Sequence, residues 1–191
     1  MSCHKALSLG AIPSLGQTPC NVAAAWDTVA AHASLGWPSM RIAVEVPEFG
    51  SAYVDTVLKV YLTDLSARDR VRSVIDRYDA YGRRGREVRF LTGTYSYREL
   101  RGWGQCMLPY YPRGVASFGV SERDNRDKFT VVNDDARKHL ELVISRLGIP
   151  RAAFIIEHGD YTQVVINSSR ARRLSTVADD KYGTVSATRI D

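Results

Sequence analysis

Residues 46–78 read VPEFGSAYVDTVLKVYLTDLSARDRVRSVIDRY, and 69 positions later residues 115–147 read VASFGVSERDNRDKFTVVNDDARKHLELVISRL. Laid together without a gap, they are identical at ten of 33 positions, including Phe49/Phe118, Gly50/Gly119, Lys59/Lys128, Ala67/Ala136, Val74/Val143 and Ile75/Ile144. Other pairs keep their character, such as Val71/Leu140 and Asp64/Asn133. A long period that occurs only twice reads as a duplicated unit. A solenoid needs about three or more copies to bury its stacked faces.

Both copies follow one pattern. Residues 41–47 and 114–120 begin as β-rich runs, and Gly50 and Gly119 each mark a bulge or a close backbone approach. Turn-formers follow at Asp55 and at Asp124-Asn125, and residues 58–62 and 128–132 return as second strands of hairpins. Helices come next, with Ser66 and Asp135 as N-cap candidates. Their apolar residues Val71, Val74, Ile75, Tyr78 and Leu140, Val143, Ile144, Leu147 fall at i, i+3, i+4, i+7, the spacing of one buried stripe. Gly148 and Pro150 end the second helix. Third strands are expected over 87–92 and 152–157, and leading helices over 22–32 and 97–108. The second of these opens with a Ser96-x-x-Glu99 capping box.

The expected fold class is therefore α+β, two tandem α-β-β-α-β subdomains related by an internal 69-residue repeat. The first subdomain spans 21–93 and the second 94–160. Residues 1–20 are a loose N-terminal segment, and 161–191 an extra strand (161–167) with a polar tail. The aromatic residues Tyr95, Tyr97, Trp103, Tyr110 and Tyr111 collect at the join, where core packing is the expected role.

The chain has 191 residues, with 26 Lys+Arg against 21 Asp+Glu. A nucleic-acid binder gathers its basic residues on one face. Here the acids are interspersed, as in Arg68-Asp69-Arg70 and Glu122-Arg123-Asp124-Asn125-Arg126-Asp127, which reads as a solvated surface. The loop of Arg83, Arg84 and Arg86 is the place a nucleic acid would use. No run of 18 uncharged apolar residues occurs, so no membrane span is expected. The N-terminal segment, broken at Gly10, Pro13 and Gly16, has no signal-peptide pattern.

Catalytic signals are few. Cys3, Cys20 and Cys106 are widely spaced without a C-x-x-C, so no metal site is expected, and no cofactor motif appears. Cys106 on a helix reads as a buried thiol, or else as a nucleophile lacking a positioned base. His139 matches Arg70 in the other copy and reads as part of a solvated face. Glu157-His158-Gly159-Asp160 leaves the last strand, where acid–base residues often sit. A small hydrolase using Cys106, His139, His158 or Asp160 is thus the alternative to a binding module.

Residues 115–158 also resemble the pro-regions of secreted bacterial serine proteases of the streptogrisin and α-lytic protease type. The residues that carry the likeness are Val115-Ala116-Ser117-Phe118-Gly119-Val120, Asn125, Phe129-Thr130-Val131, residues 136–147, Gly148-Ile149-Pro150 and residues 152–157. Residues 42–66 look like the stretch preceding such a unit in trypsin-like bacterial proteases. The resemblance implies a pro-region of two related α+β pieces, a hairpin with an Asn near its turn, and a secreted setting. It also implies a non-catalytic role as folding template or inhibitor of a serine protease domain, without cofactor. The partner would meet a sheet edge by main-chain hydrogen bonding, at Phe154, Ile155 and Ile156 with Val164 and Val165 beyond. The sequence departs from the family in carrying no protease domain after Asp160 and no export signal before residue 20.

Overall fold

A computed structural model describes residues 19–32 and 37–159. Two three-stranded sheets are built on one plan, an antiparallel hairpin and then a helix that crosses to a parallel third strand. The elements run α1 (Val22–His32), α2 (Pro38–Glu45), β1 (Phe49–Val54), β2 (Leu58–Leu62), α3 (Arg68–Tyr78), β3 (Val88–Thr92), α4 (Tyr97–Met107), β4 (Val115–Ser121), β5 (Arg126–Val131), α5 (Asp134–Arg146) and β6 (Phe154–His158). The sheet orders are β1-β2-β3 and β4-β5-β6, so the mixed α+β class holds.

Each sheet buries one face under its crossing helix. Val71, Val74 and Ile75 of α3 cover Leu58, Val60 and Leu62, while Leu140, Val143 and Ile144 of α5 cover Phe129, Val131, Phe154 and Ile156. The helix stripes read from the sequence are buried except at Tyr78, which is 41% exposed because the last turn of α3 runs past the sheet, where Arg41 and Arg77 lie over its ring. Among the expected join aromatics, Tyr97 and Trp103 are buried, and Tyr95 packs edge-on to Trp103 at 5.4 Å between ring centres.

The ungapped alignment fails inside the hairpins. Both first strands carry a bulge, between Phe49 and Ser51 in β1 and between Val115 and Ser117 in β4. Phe49 faces Leu62, whereas Val115 faces Val131. The second strands are thus 69 positions apart and the first strands 66 apart, because the turn of the second hairpin is three residues longer. Phe118 and Gly119 occupy the places of Ala52 and Tyr53, and the identities Phe49/Phe118 and Gly50/Gly119 are not structural equivalences.

Of residues 41–47, expected as a strand, residues 41–45 lie in α2 and Val46 is its C-cap. Ile42, Val44 and Val46 alternate like a strand, but Ile42 and Val46 also satisfy i, i+4. Val44 separates the two readings: it is 42% exposed while Ile42 and Val46 are buried. Pro38 at the first turn, after the extended Trp37, starts the helix. The caps shift as well. Asn133 accepts from the Ala136 amide and caps α5, while its match Asp64 accepts from the Ser66 amide and caps the short 3-10 turn Leu65–Ala67 that leads into α3, so neither Ser66 nor Asp135 is the cap. The Ser96–Glu99 capping box forms as expected.

Helix α1 lies against α4, where Gly102 leaves room for Val22. Cys20 and Cys106 are joined by a disulfide with Cα atoms 5.8 Å apart. Cys106 therefore is not the free thiol expected from its helix position. The strap reaches both cores: Trp26 belongs to the first, and Cys20 and Val22 pack on the second.

Candidate partner-binding edge

Strand β6 is an outer strand, pairing with β5 alone among the described residues. The Gly159 amide donates to Val131 O, which fixes the phase of the ladder. Backbone groups alternate in direction along a strand. Those of Ile155 and Glu157 therefore face β5, and those of Phe154, Ile156 and His158 face outward. Phe154 is already engaged: its amide donates to Arg151 O and its carbonyl accepts from Arg151 Nη1 at 2.6 Å. Ile156 and His158 are left as the outward peptide groups without a hydrogen-bond partner among the described residues.

The side chains of this strand have other roles. Phe154 and Ile156 are buried in the second core, and Ile155 is half-buried on the opposite face. A partner adding to this edge would meet backbone at Ile156 and His158. Two side-chain contacts tie the strand and the turn before it to α5: His158 Nε2 lies 3.2 Å from Asp134 Oδ1, and Arg151 grips Glu141 at 2.6 and 2.8 Å. Asp160, Val164 and Val165 lie outside the described residues, as does the expected strand over 161–167.

Among the described residues, the catalytic candidates Cys106, His139 and His158 do not assemble. Cys106 is tied to Cys20. His139 Nε2 bonds Tyr110 O at 3.0 Å, on the α4 side of α5, while His158 sits at the end of β6. Two neighbouring clefts between α2 and the end of α3, of about 350 and about 520 Å3, share Arg41 and Tyr78 and are not lined by any of these residues. In the basic loop, Arg84 caps the end of α3 through Asp76 O and Arg77 O. The Asp76 carboxylate is held below the usual aspartate range chiefly by the Gly85 amide. This loop is ordered by its own hydrogen bonds.

Two polar clusters were missed from the sequence. In the first, the turn after β4 docks on the first sheet. Tyr61 Oη and Ser51 Oγ donate to the carbonyls of Arg123 and Glu122, and Ser39 Oγ donates to Glu122 Oε1 at 2.8 Å. The Tyr81 hydroxyl, 2.5 Å from Ser39 Oγ, then supplies its own proton to that bond. Burial pushes Glu122 up, against the Ser39 hydrogen bond, and pushes the Tyr81 hydroxyl up more strongly.

The second cluster centres on Asp127, fully buried on β5 with neither carboxylate oxygen hydrogen-bonded. The Arg101 Nε and the Tyr111 hydroxyl are likewise buried and unpartnered. Burial drives Asp127 well above the usual aspartate range, and the nearby Arg101 charge offsets this only in part. Tyr97 is pushed up to about 12, mainly by burial. The signal was present: Asp127, Phe129 and Val131 share one phase of the strand alternation, which places a carboxyl on the core face.

No family model, curated protein or solved structure matches the chain.

Proposed function

We propose that the chain is a non-catalytic binding module of the serine protease pro-region kind, a folding template or inhibitor that adds its β6 edge to a sheet of a protease domain. The observation that carries this reading is the pair of outward peptide groups at Ile156 and His158, on a strand whose apolar side chains already fill the core. Exposed edges are a hazard that proteins cover or use, and strand addition supplies affinity through main-chain bonds. The Asn125 that the resemblance places near the hairpin turn takes the left-handed conformation there, with φ 51°. The disulfide suits an oxidising compartment outside the cytosol, as a secreted protein needs. In this reading the two sheet units are tandem copies of one ancestral unit, the second with three residues added to its hairpin.

The test is a mixture of the purified chain with streptogrisin-like protease, native and denatured. Inhibition of the native enzyme, or a higher yield of refolded activity, is the expected result. If neither occurs, and the chain instead turns over a small ester at a rate abolished by His139→Ala or His158→Ala, the module is a hydrolase.

A further inference from the structure

Asp127 is the first of three core-facing residues on β5. It sits opposite Phe154 of β6 in the parallel ladder and opposite Val120 of β4. It therefore lies at the start of the strand pair that holds up the edge described above. Its carboxyl has no hydrogen bond, and Arg101 Nε and the Tyr111 hydroxyl of the same cluster are likewise unpartnered. The charged and titratable groups near it are Arg101 and Tyr97 from α4 and Tyr111 from the segment before β4. Leu140, Val143 and Ile144 of α5 and Phe154 and Ile156 of β6 complete the same core with apolar groups.

A neutral carboxyl in such a place is costly. An ionised one, with Arg101 near but not bonded, is far costlier, because burying a charge without hydrogen bonds forfeits its hydration. The cheapest relief for the ionised form is water entry between β5 and β6, where the rings of Phe129 and Phe154 now stack 5.8 Å apart. We infer that Asp127 is a proton-operated latch on the β5–β6 pair: the neutral carboxyl keeps β6 seated as a binding edge, and ionisation loosens it. The role as a binding edge rests on the function proposed above; the latch itself does not.

The sign follows from linkage. The folded state holds the Asp127 proton to higher pH than the unfolded chain does, whose carboxyl titrates near 3.8. Stability from this group is complete below that value and falls as pH rises, by up to tenfold in the folding constant per pH unit (about 1.4 kcal/mol). Glu122, also raised, acts in the same direction from the other side of the junction.

The experiment uses the full chain with its disulfide intact, wild type and Asp127→Asn, from pH 4.5 to 9. Denaturant unfolding gives stability, and amide exchange gives protection factors at Ile156 and His158. Wild type is expected to lose stability and β6 protection together as pH rises. The Asn variant should show a shallower slope and exceed wild type by tenfold or more in folding constant at pH 8. Parallel curves for the two proteins, or an Asn variant weaker than wild type at pH 8, overturn the latch. Should the variant not fold, the carboxyl carbon-13 shift of Asp127 in wild type decides: the protonated value at pH 7 supports the latch, and an ordinary aspartate titration sinks it. Binding to the protease is measured separately over the same range. No binding at any pH defeats the proposed function and leaves the latch to the stability data.

Discussion

Asn125 bonds both peptide groups of Tyr95: its Oδ1 accepts from the Tyr95 amide at 3.1 Å and its Nδ2 donates to the Tyr95 carbonyl at 2.9 Å. The same side chain accepts from the Thr94 amide and donates to Ser51 Oγ. The turn of the second hairpin thus closes the segment that leaves the first sheet. Asn suits the position because it tolerates a left-handed backbone and has two acceptor and two donor sites to spend there. Asn125→Ala removes four hydrogen bonds, one buried and three part-buried, and puts an ordinary residue at φ 51°. A loss of about 3–5 kcal/mol is expected in denaturant unfolding. A loss under about 1 kcal/mol would mean that this contact does not organise the junction.

Gly50 and Gly119 coincide in the sequence offset but not in space, and alanine separates them. A Cβ at Gly50 would stand 2.7 Å from both Asn125 Nδ2 and the Tyr95 carbonyl oxygen, and the backbone oxygen has little room to yield. Gly50→Ala should cost about 1–3 kcal/mol or more. A Cβ at Gly119 meets nothing within 4 Å. Gly119→Ala should be neutral, or stabilising by about 0.5 kcal/mol, because alanine narrows the unfolded ensemble. Equal costs at the two sites would contradict the register described here.

That contrast shows where the sequence was legible. The helix stripes were readable because a 3.6-residue period over eleven or more residues has one solution, and Ile75 and Ile144 fill it. Ile75→Ala and Ile144→Ala should each cost about 2–5 kcal/mol by thermal or chemical unfolding. Hairpin register was not readable, because a three-residue change in turn length leaves the alternation of each strand intact and identities then align by chance. Helix α2 escaped because Ile42 and Val46 fit both periods. The edge at β6 was anticipated as a segment, but which of its amides point outward follows from the Gly159–Val131 bond, which composition does not encode.

The Cys20–Cys106 bond ties the start of α1 to α4 across 86 positions. Closing a loop of that length restricts the unfolded chain, and its loss should cost about 2–5 kcal/mol. Reductant, or the pair Cys20→Ala with Cys106→Ala, should lower the unfolding midpoint by corresponding amounts. The double variant should then be insensitive to reductant. An unchanged midpoint in reductant would show that α1 is held by packing of Val22 and Trp26 alone.

Proline placement tests the edge itself. The His158 amide points away from β5, so His158→Pro removes an outward donor without touching the ladder, and proline is tolerated at such edge positions. The substitution also breaks the pair with Asp134, whose side chains are 47% and 77% exposed, and a solvated pair of that kind is worth under about 1 kcal/mol. His158→Ala breaks the pair and keeps the amide, which makes it the control. Ile155→Pro, one phase away, removes a donor that faces β5 and should unseat the strand at a cost of about 3 kcal/mol. The expected pattern is a tenfold or greater loss of protease affinity for His158→Pro relative to His158→Ala, with the two equally stable. Ile155→Pro should lose stability and affinity together. If His158→Pro and His158→Ala bind alike, the partner does not add a strand at β6, and affinity must come from side chains elsewhere on the surface.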